Sequence, residues 1–296
     1  MITIKDVFED YRQLNNVYET QEIEAISLLV INHVTQLSKA SIKAFPEREL
    51  SNEQTEKLKS ILIRLKTGEP VQYTLGTTEF YGLPFRVNPS VLIPRPETEE
   101  LVEWILSAIG ERRKVKDQRT KQFADSILDI GTGSGCIAIS LKKNLPDAMV
   151  SAIDISESAL QIATQNAELN TVDVNFIHAD ILNLQSTQNS ELKTYNLIIS
   201  NPPYVTLEDK KEMHSNVTDF EPHNALFVPE QDPLIFYKAI ADFALINLIP
   251  GGLLFFEINE NYGQETVDLL QNKDFSNIEL RKDMSGRDRM VKAIVK

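Results

Sequence analysis

SILDIGTGSG, residues 126–135, places a short apolar run, a turn bearing three glycines and the start of a helical pattern at Cys136 in direct succession. Glycine enters left-handed backbone without a steric penalty, so Gly131, Gly133 and Gly135 allow a tight turn and let a ligand come up against bare backbone. The helix that follows turns unpaired N–H groups toward the same place, which favours a negatively charged or strongly accepting ligand group. Run, turn and helix together read as the β-turn-α unit of a nucleotide-like binding site, although glycine turns of this composition also serve packing alone.

Outward from that unit the pattern repeats. AMVSAID at 148–154, VNFIHAD at 174–180 and YNLIIS at 195–200 are further apolar strands, with a helix over 156–170 between the first two. A helix over 233–249, the strand GLLFFEI, a helix over 262–271 and two closing strands around IELRKDM and RMVKAIV follow. Such alternation predicts an α/β fold with a mostly parallel sheet, helices on both faces and ligands at the carboxyl ends of the strands.

On the amino-terminal side the period changes. Ile23, Ile26, Leu29, Val30 and Val34 recur at helical spacing. Ser51 and Gln54 stand as a capping box ahead of Leu58, Ile61, Leu62 and Leu65, and Gly68 and Pro70 stop that helix. Between Thr77 and Val91 aromatic and β-branched residues straddle Gly82, as in a hairpin. The organisation predicted is a small helical domain over 1–75, a hairpin linker over 76–94 and the α/β domain over 95–296. The first helix of the last starts at Pro96 and Thr98 and runs into charged residues 111–121, read as solvated surface.

Composition narrows the function. A net charge of -13 repels a phosphate backbone, so nucleic acid is disfavoured as a partner. Cys136 is the single cysteine, which excludes an intrachain disulfide and a cysteine-based zinc cluster and fits a reducing compartment. MITIKDVFEDYRQ lacks the apolar stretch of a signal peptide and no run reaches transmembrane length, so a cytoplasmic protein is expected, without membrane contact and as a monomer. His33, His178, His214 and His223 have no metal-ligand spacing, and no serine lies in a nucleophile elbow, so no metal is expected.

The strand after the glycine turn ends in Asp154, 23 positions beyond Gly131, where a carboxylate can accept from both hydroxyls of a ribose; the alternative is an Asp that caps the helix starting near Ser156. A dinucleotide fingerprint needs its third glycine where Cys136 stands, and here it comes one residue early. That spacing resembles the first motif of class I methyltransferases, a Rossmann-like fold with a seven-stranded sheet that binds S-adenosyl-L-methionine in this crevice. The resemblance implies a cofactor site made of Gly131, Thr132, Gly133, Ser134, Gly135, Asp154, Asp180, Ile181 and Asn201. Asp180 would face the adenine amino group with the backbone of Ile181 beside the ring, unless Asp180 is a plain turn residue.

YNLIIS runs straight into Asn201, Pro202, Pro203 and Tyr204. An amide nitrogen is a poor nucleophile because its lone pair is delocalised into the carbonyl. Acceptors aimed at its N–H bonds return density to nitrogen and orient it. The side-chain oxygen of Asn201 and the carbonyl of Pro202 are suitable acceptors, and prolines, lacking N–H, leave the sheet ladder and stay extended. Tyr204 offers a flat face to a planar amide or base, and the plain alternative is a strand terminator.

LIPRPETEE at 92–100, the glycine turn, Asp154, NPPY at 201–204 and Phe220, Glu221, Pro222 together resemble the peptide chain release factor glutamine methyltransferase family, called PrmC or HemK. That likeness covers nearly the whole chain. It implies methylation of the side-chain amide nitrogen (N5) of the glutamine in the Gly-Gly-Gln loop of class 1 release factors, with Asn201 and Pro202 catalytic and Asn201 to Tyr204 holding the substrate. The helical domain would help hold the release factor, residues 205–231 would serve as a substrate loop, and Arg95, Glu97 and Thr98 would border the cofactor pocket, the alternatives being a helix-capping role for Thr98 and a surface role for the two charges. NPPY also occurs in methyltransferases acting on bases, so a nucleic-acid amino methyltransferase is one rival. A ribosomal-protein glutamine methyltransferase and a non-enzymatic cofactor-binding module are the others.

Overall fold

The protein is described from a computed structural model, over residues 2–115, 125–184 and 194–296. The charged stretch at 111–121 therefore lies in part outside the described residues. The chain divides into two compact units: Met1–Thr77 with His214–Phe220, and Thr78–Met213 with Glu221–Lys296.

The first unit is built on α1 (Ile4–Tyr11), α2 (Thr20–Thr35), α3 (Lys39–Ala44), α4 (Asn52–Leu65) and α5 (Val71–Leu75). Ile4, Leu14, Val30, Ile31, Ile42 and Leu65 are fully buried in its core. The capping box read at α4 is present: Gln54 N donates to Ser51 Oγ at 3.1 Å and Ser51 N to Gln54 Oε1 at 3.0 Å, which stabilises the helix by about 1 kcal/mol. His214–Phe220 belongs here too, although its place in the chain put it with the α/β domain. The reason is local packing, with the Phe220 ring 3.8 Å from where a Cβ on Gly68 would stand.

In the second unit β1 (Thr77–Phe80) and β2 (Leu83–Arg86) form the hairpin, which is no free linker. Phe80 and Phe85 meet edge to face at 6.0 Å and join Trp104 and Ile105 in one core. The buried Asn166 amide accepts from Arg86 N at 2.6 Å and donates to Arg86 O at 3.0 Å and Ser134 O at 2.9 Å, fastening the hairpin to the glycine turn.

The unit continues through α6 (Pro96–Val115), β3 (Ser126–Ile130), α7 (Cys136–Asn144), β4 (Met149–Asp154), α8 (Glu157–Leu169), β5 (Asn175–His178) and β6 (Tyr195–Ser200). Past α9 (Ser215–Phe220, of the first unit) come α10 (Ile235–Asn247), β7 (Leu248–Glu257), α11 (Gly263–Asn272), β8 (Ser276–Lys282) and β9 (Asp288–Ile294). The strands form a seven-stranded sheet in the order β5-β4-β3-β6-β7-β9-β8, parallel except for β9, which runs antiparallel to both neighbours. Side chains alternate between two cores, as the two-residue period of a strand requires. Ile127, Leu197, Ile199, Leu253 and Phe255 face α6 and α7, while Leu128, Ile130, Ile198, Leu254 and Phe256 face α10.

From β3 the order runs outward through β4 and β5, and β6 returns to the other side of β3, so the sheet's direction of winding reverses between β3 and β6. The register sets Ile130 opposite both Ile153 and Ser200, and Ser200 opposite Phe256. One residue further on, Gly131, Asp154, Asn201 and Glu257 thus leave their strands at one level.

Candidate active site

The glycine turn is held from below. Gly131 N and Thr132 N donate to Ile153 O at 2.9 and 3.0 Å, and Gly133 N donates to Asp154 Oδ2 at 2.8 Å. Its five residues do different work. Gly131 (φ +73) and Gly133 (φ +54) border a cavity, and a Cβ on either would meet nothing within 4 Å, so bare backbone faces open space. Thr132 and Ser134 are buried away from that cavity, and the Thr132 hydroxyl donates to Asp129 Oδ2 at 2.6 Å. Asp129 is fully buried, which pushes its carboxyl up to about 7 against the pull of that hydroxyl. Gly135 (φ +80) packs under the turn against Ile139 and Ala163. Of the five residues expected at the ligand site, Gly131 and Gly133 line this cavity.

Asp154 is not the cap of α8. Ser156 is, its Oγ accepting from Ala159 N at 3.2 Å, while Asp154 Oδ1 accepts from Ser156 N at 2.9 Å. Its carboxylate therefore ties the end of β4 to both flanking turns and still borders the cavity. Burial raises its pKa, opposed by the backbone N–H donors of Ser156 and Gly133. Asp180 and Ile181 border the same cavity; the Asp180 carboxylate accepts from Leu182 N at 2.9 Å and from Asn183 Nδ2, so it also shapes its own turn. The cavity measures about 300 Å³, at the lower end of the range of roughly 300–1,000 Å³ for small-ligand sites. Its apolar wall includes Ile155, Ala179, Ile181 and Leu182. Open glycine backbone, an acceptor carboxylate and an apolar slot suit a nucleoside bearing a short polar tail, which is the make-up of S-adenosyl-L-methionine.

A second cavity of about 410 Å³ opens beside Arg95, Tyr204, Asn259 and Arg289. Asn201 and Pro202 border both cavities, Pro203 only the first and Tyr204 only the second. Asn201 Nδ2 donates to Thr98 Oγ1 at 3.3 Å, Thr98 Oγ1 donates to Glu257 Oε2 at 2.7 Å, and Tyr204 OH donates to Glu257 Oε1 at 3.2 Å. Burial, with Glu257 beside it, raises the Tyr204 pKa, so the phenol keeps its proton. The Tyr204 carbonyl accepts from Asn259 Nδ2 at 3.0 Å.

Arg95 borders the second cavity, and the buried Thr98 reaches Asn201 and Glu257 by hydrogen bonds. Glu221, 1% exposed in its side chain, accepts from Arg95 Nη2 and, at 3.3 Å, from Ile93 N. That pairing brings the LIPRPETEE and FEP motifs together. The base of the 205–231 connection is closed as well, by Val205 N to Leu226 O at 2.8 Å and Val228 N to Val205 O at 2.9 Å. The sequence reading missed Glu257, Asn259 and Arg289; only an unexplained acid at the end of an apolar strand could have flagged the first. Cys136 is packed, and burial pushes its thiol up to about 12. Among the described residues no group of three or more His, Cys, Asp or Glu side chains could hold a metal ion, and no helix is long and apolar enough to cross a membrane.

A seven-stranded sheet with one antiparallel strand, a glycine turn and an acid on the next strand define an S-adenosyl-L-methionine-dependent methyltransferase of class I. Two family models agree with that class, Methyltransferase small domain over residues 115–219 and PrmC N-terminal domain over residues 11–76. A methyltransferase from Pyrococcus furiosus shares the fold at a TM-score of 0.51 and 16% identity, over 83% of this chain and 98% of that one. The chain is 47% identical to the release factor glutamine methyltransferase of Flavobacterium psychrophilum over 94% of each. It is 43% identical to that of Bacteroides thetaiotaomicron over 95% of this chain and 96% of the relative. It belongs to the release factor glutamine methyltransferase family.

Proposed function

We propose that this chain transfers a methyl group from S-adenosyl-L-methionine to N5 of the glutamine in the Gly-Gly-Gln loop of class 1 release factors. One observation carries the reading: Asn201 and Pro202 border both the nucleoside-shaped cavity and the polar cavity beside it. The cofactor, when bound, would supply an electrophilic methyl group on a sulfonium; as the N5–CH3 bond forms the S–CH3 bond breaks, the neutral thioether leaves, and the glutamine nitrogen gives up one proton to water. Gly131 and Gly133 admit its polar tail to the backbone, Asp154 accepts from its ribose, and Asp180 with Ile181 borders its base. Thr132, Ser134 and Gly135 hold that turn in shape.

Asn201 Oδ1 and the Pro202 carbonyl accept from the two N–H bonds of the glutamine amide, raising electron density on nitrogen and fixing its lone pair in line with the methyl carbon. Pro203 keeps the segment out of the ladder, and Tyr204, tethered to Glu257, walls the acceptor side. The helical domain over 1–75, with 214–220, holds the release factor, the hairpin over 76–94 packs with the methyltransferase domain over the rest of 95–296, and the protein acts as a cytoplasmic monomer.

Mass mapping of a purified class 1 release factor after reaction tests this reading. A single methyl increment on the Gly-Gly-Gln glutamine is expected; label from the cofactor entering only nucleic acid would overturn it. Replacing Asp154 with Ala is expected to weaken cofactor binding by about 1.5–3 kcal/mol, measured by calorimetry. Acid should act in the same direction. Because burial raises the Asp154 pKa, the carboxylate takes up a proton above the usual range of the group, loses an acceptor, and the Kd for the cofactor rises as pH falls through that pKa. Asp154→Asn should flatten the acid rise, and a Kd indifferent to acid in the unsubstituted protein would remove Asp154 from this role.

A further inference from the structure

We propose that Glu257 and Thr98 form a hydrogen-bond relay that fixes which way round the Asn201 amide is held, and so act as positioning residues for methyl transfer. The inference deepens the function proposed above and rests on it. An asparagine amide presents an oxygen and an NH2 of nearly equal size, and its surroundings alone decide which points where. A hydroxyl has a single proton to give, and Thr98 gives it to Glu257 Oε2 at 2.7 Å. Toward Asn201 the same oxygen can only accept, so it takes Nδ2 at 3.3 Å and turns Oδ1 the opposite way. A reversed amide would set two oxygens against each other without a proton between them.

Glu257 is itself held as an acceptor. Its other oxygen takes the Tyr204 hydroxyl at 3.2 Å; burial raises the Glu257 pKa, opposed by the Thr98 hydroxyl, the charge of Arg289 and the Tyr204 hydroxyl. Arg289 is fixed by Asp283 and Glu260, both at 3.1 Å. Glu257 and Thr98 are 1% and 2% exposed, so bulk water cannot take over either bond. The sheet sets the geometry, because the pairing of Ser200 with Phe256 brings Glu257 level with Asn201. The acid there also answers the Tyr204 hydroxyl and the Arg289 charge, and its second oxygen is the one turned to Thr98. A buried carboxylate carries a desolvation cost that an apolar side chain of similar size would not, so its presence at this level of the sheet points to the site.

Kinetics with a purified class 1 release factor test the relay. Thr98→Val should lower kcat about tenfold while KM for the release factor and Kd for the cofactor stay within about threefold, and Thr98→Ser, which keeps the hydroxyl, should recover most of the rate. In an Asn201→Ala background Thr98→Val should cost nothing further, since the relay acts only through that amide. An unchanged kcat in Thr98→Val would overturn the relay, as would a Ser variant as slow as the Val variant, a loss of cofactor binding, or rate losses that multiply in the double variant. An unsubstituted protein that leaves the release factor unmethylated would instead overturn the proposed function, and the relay with it.

Discussion

Asn201→Ala is expected to lower kcat for glutamine methylation by on the order of 10²-fold or more, the scale seen when one preorganised polar group is removed from a reacting centre. Cofactor affinity should stay nearly unchanged, because the polar anchors of the first cavity, Gly131, Gly133 and Asp154, are untouched. The separation follows from where Asn201 sits. It leaves β6 one residue past Ser200, borders both cavities and has Nδ2 committed to Thr98. Its oxygen is the side-chain atom that can accept from a substrate amide, and an amide nitrogen with no acceptor on its N–H bonds keeps its lone pair in the carbonyl. Single-turnover kinetics beside cofactor calorimetry would show the effect, and unaltered turnover would take Asn201 out of the reaction. Asn201→Asp sharpens the point, since it keeps an oxygen but puts an acceptor against Thr98, and it should rescue little of the rate.

The parts of this site that the sequence displays are those confined to one strand and the turn after it. The turn at 131–135, Asp154 at the end of its strand and Asn201 to Tyr204 after YNLIIS each sit in a local pattern of apolar run followed by glycine, acid or proline, and the strand period of two also marks which residues face which core. What stays hidden is set by pairing between distant segments. Glu257 ends the run LLFFE with no local mark of function, and its bond to Thr98 spans 159 positions; the β6–β7 register is what brings Glu257 near Asn201. Glu221 is hidden in the same way, bonded to Arg95 across 126 positions. The hairpin reads as a linker because Gly82 and its flanks look like any turn, whereas the burial of Phe80 and Phe85 depends on α6, which follows in the chain. Within the glycine turn itself composition makes the three glycines alike, and the structure separates them by what lies behind each Cα.

That separation yields a stability difference. Gly135 has φ +80, and a Cβ there would stand 2.9 Å from Ile139 Cδ1, 3.2 Å from Ala163 Cβ and 3.4 Å from the backbone Cα of Ala163. The Ile139 methyl can swing aside, but the Ala163 backbone of α8 cannot. Gly135→Val should therefore carry about 1–2 kcal/mol for left-handed backbone and a further ~1–3 kcal/mol for overpacking, together about 2–5 kcal/mol of folding stability. Gly133→Ala is its counterpart: at φ +54 with nothing within 4 Å it should cost only ~1–2 kcal/mol in stability. Its methyl group would instead stand in the space that Gly133 opens to the first cavity, so the larger effect should be a raised Kd for the cofactor. Denaturant unfolding of both variants, with calorimetry of cofactor binding, distinguishes the two kinds of glycine. If Gly133→Ala proved the less stable protein and Gly135→Val bound cofactor as the parent does, the turn would be oriented the other way round, with Gly135 toward the ligand and Gly133 toward α8.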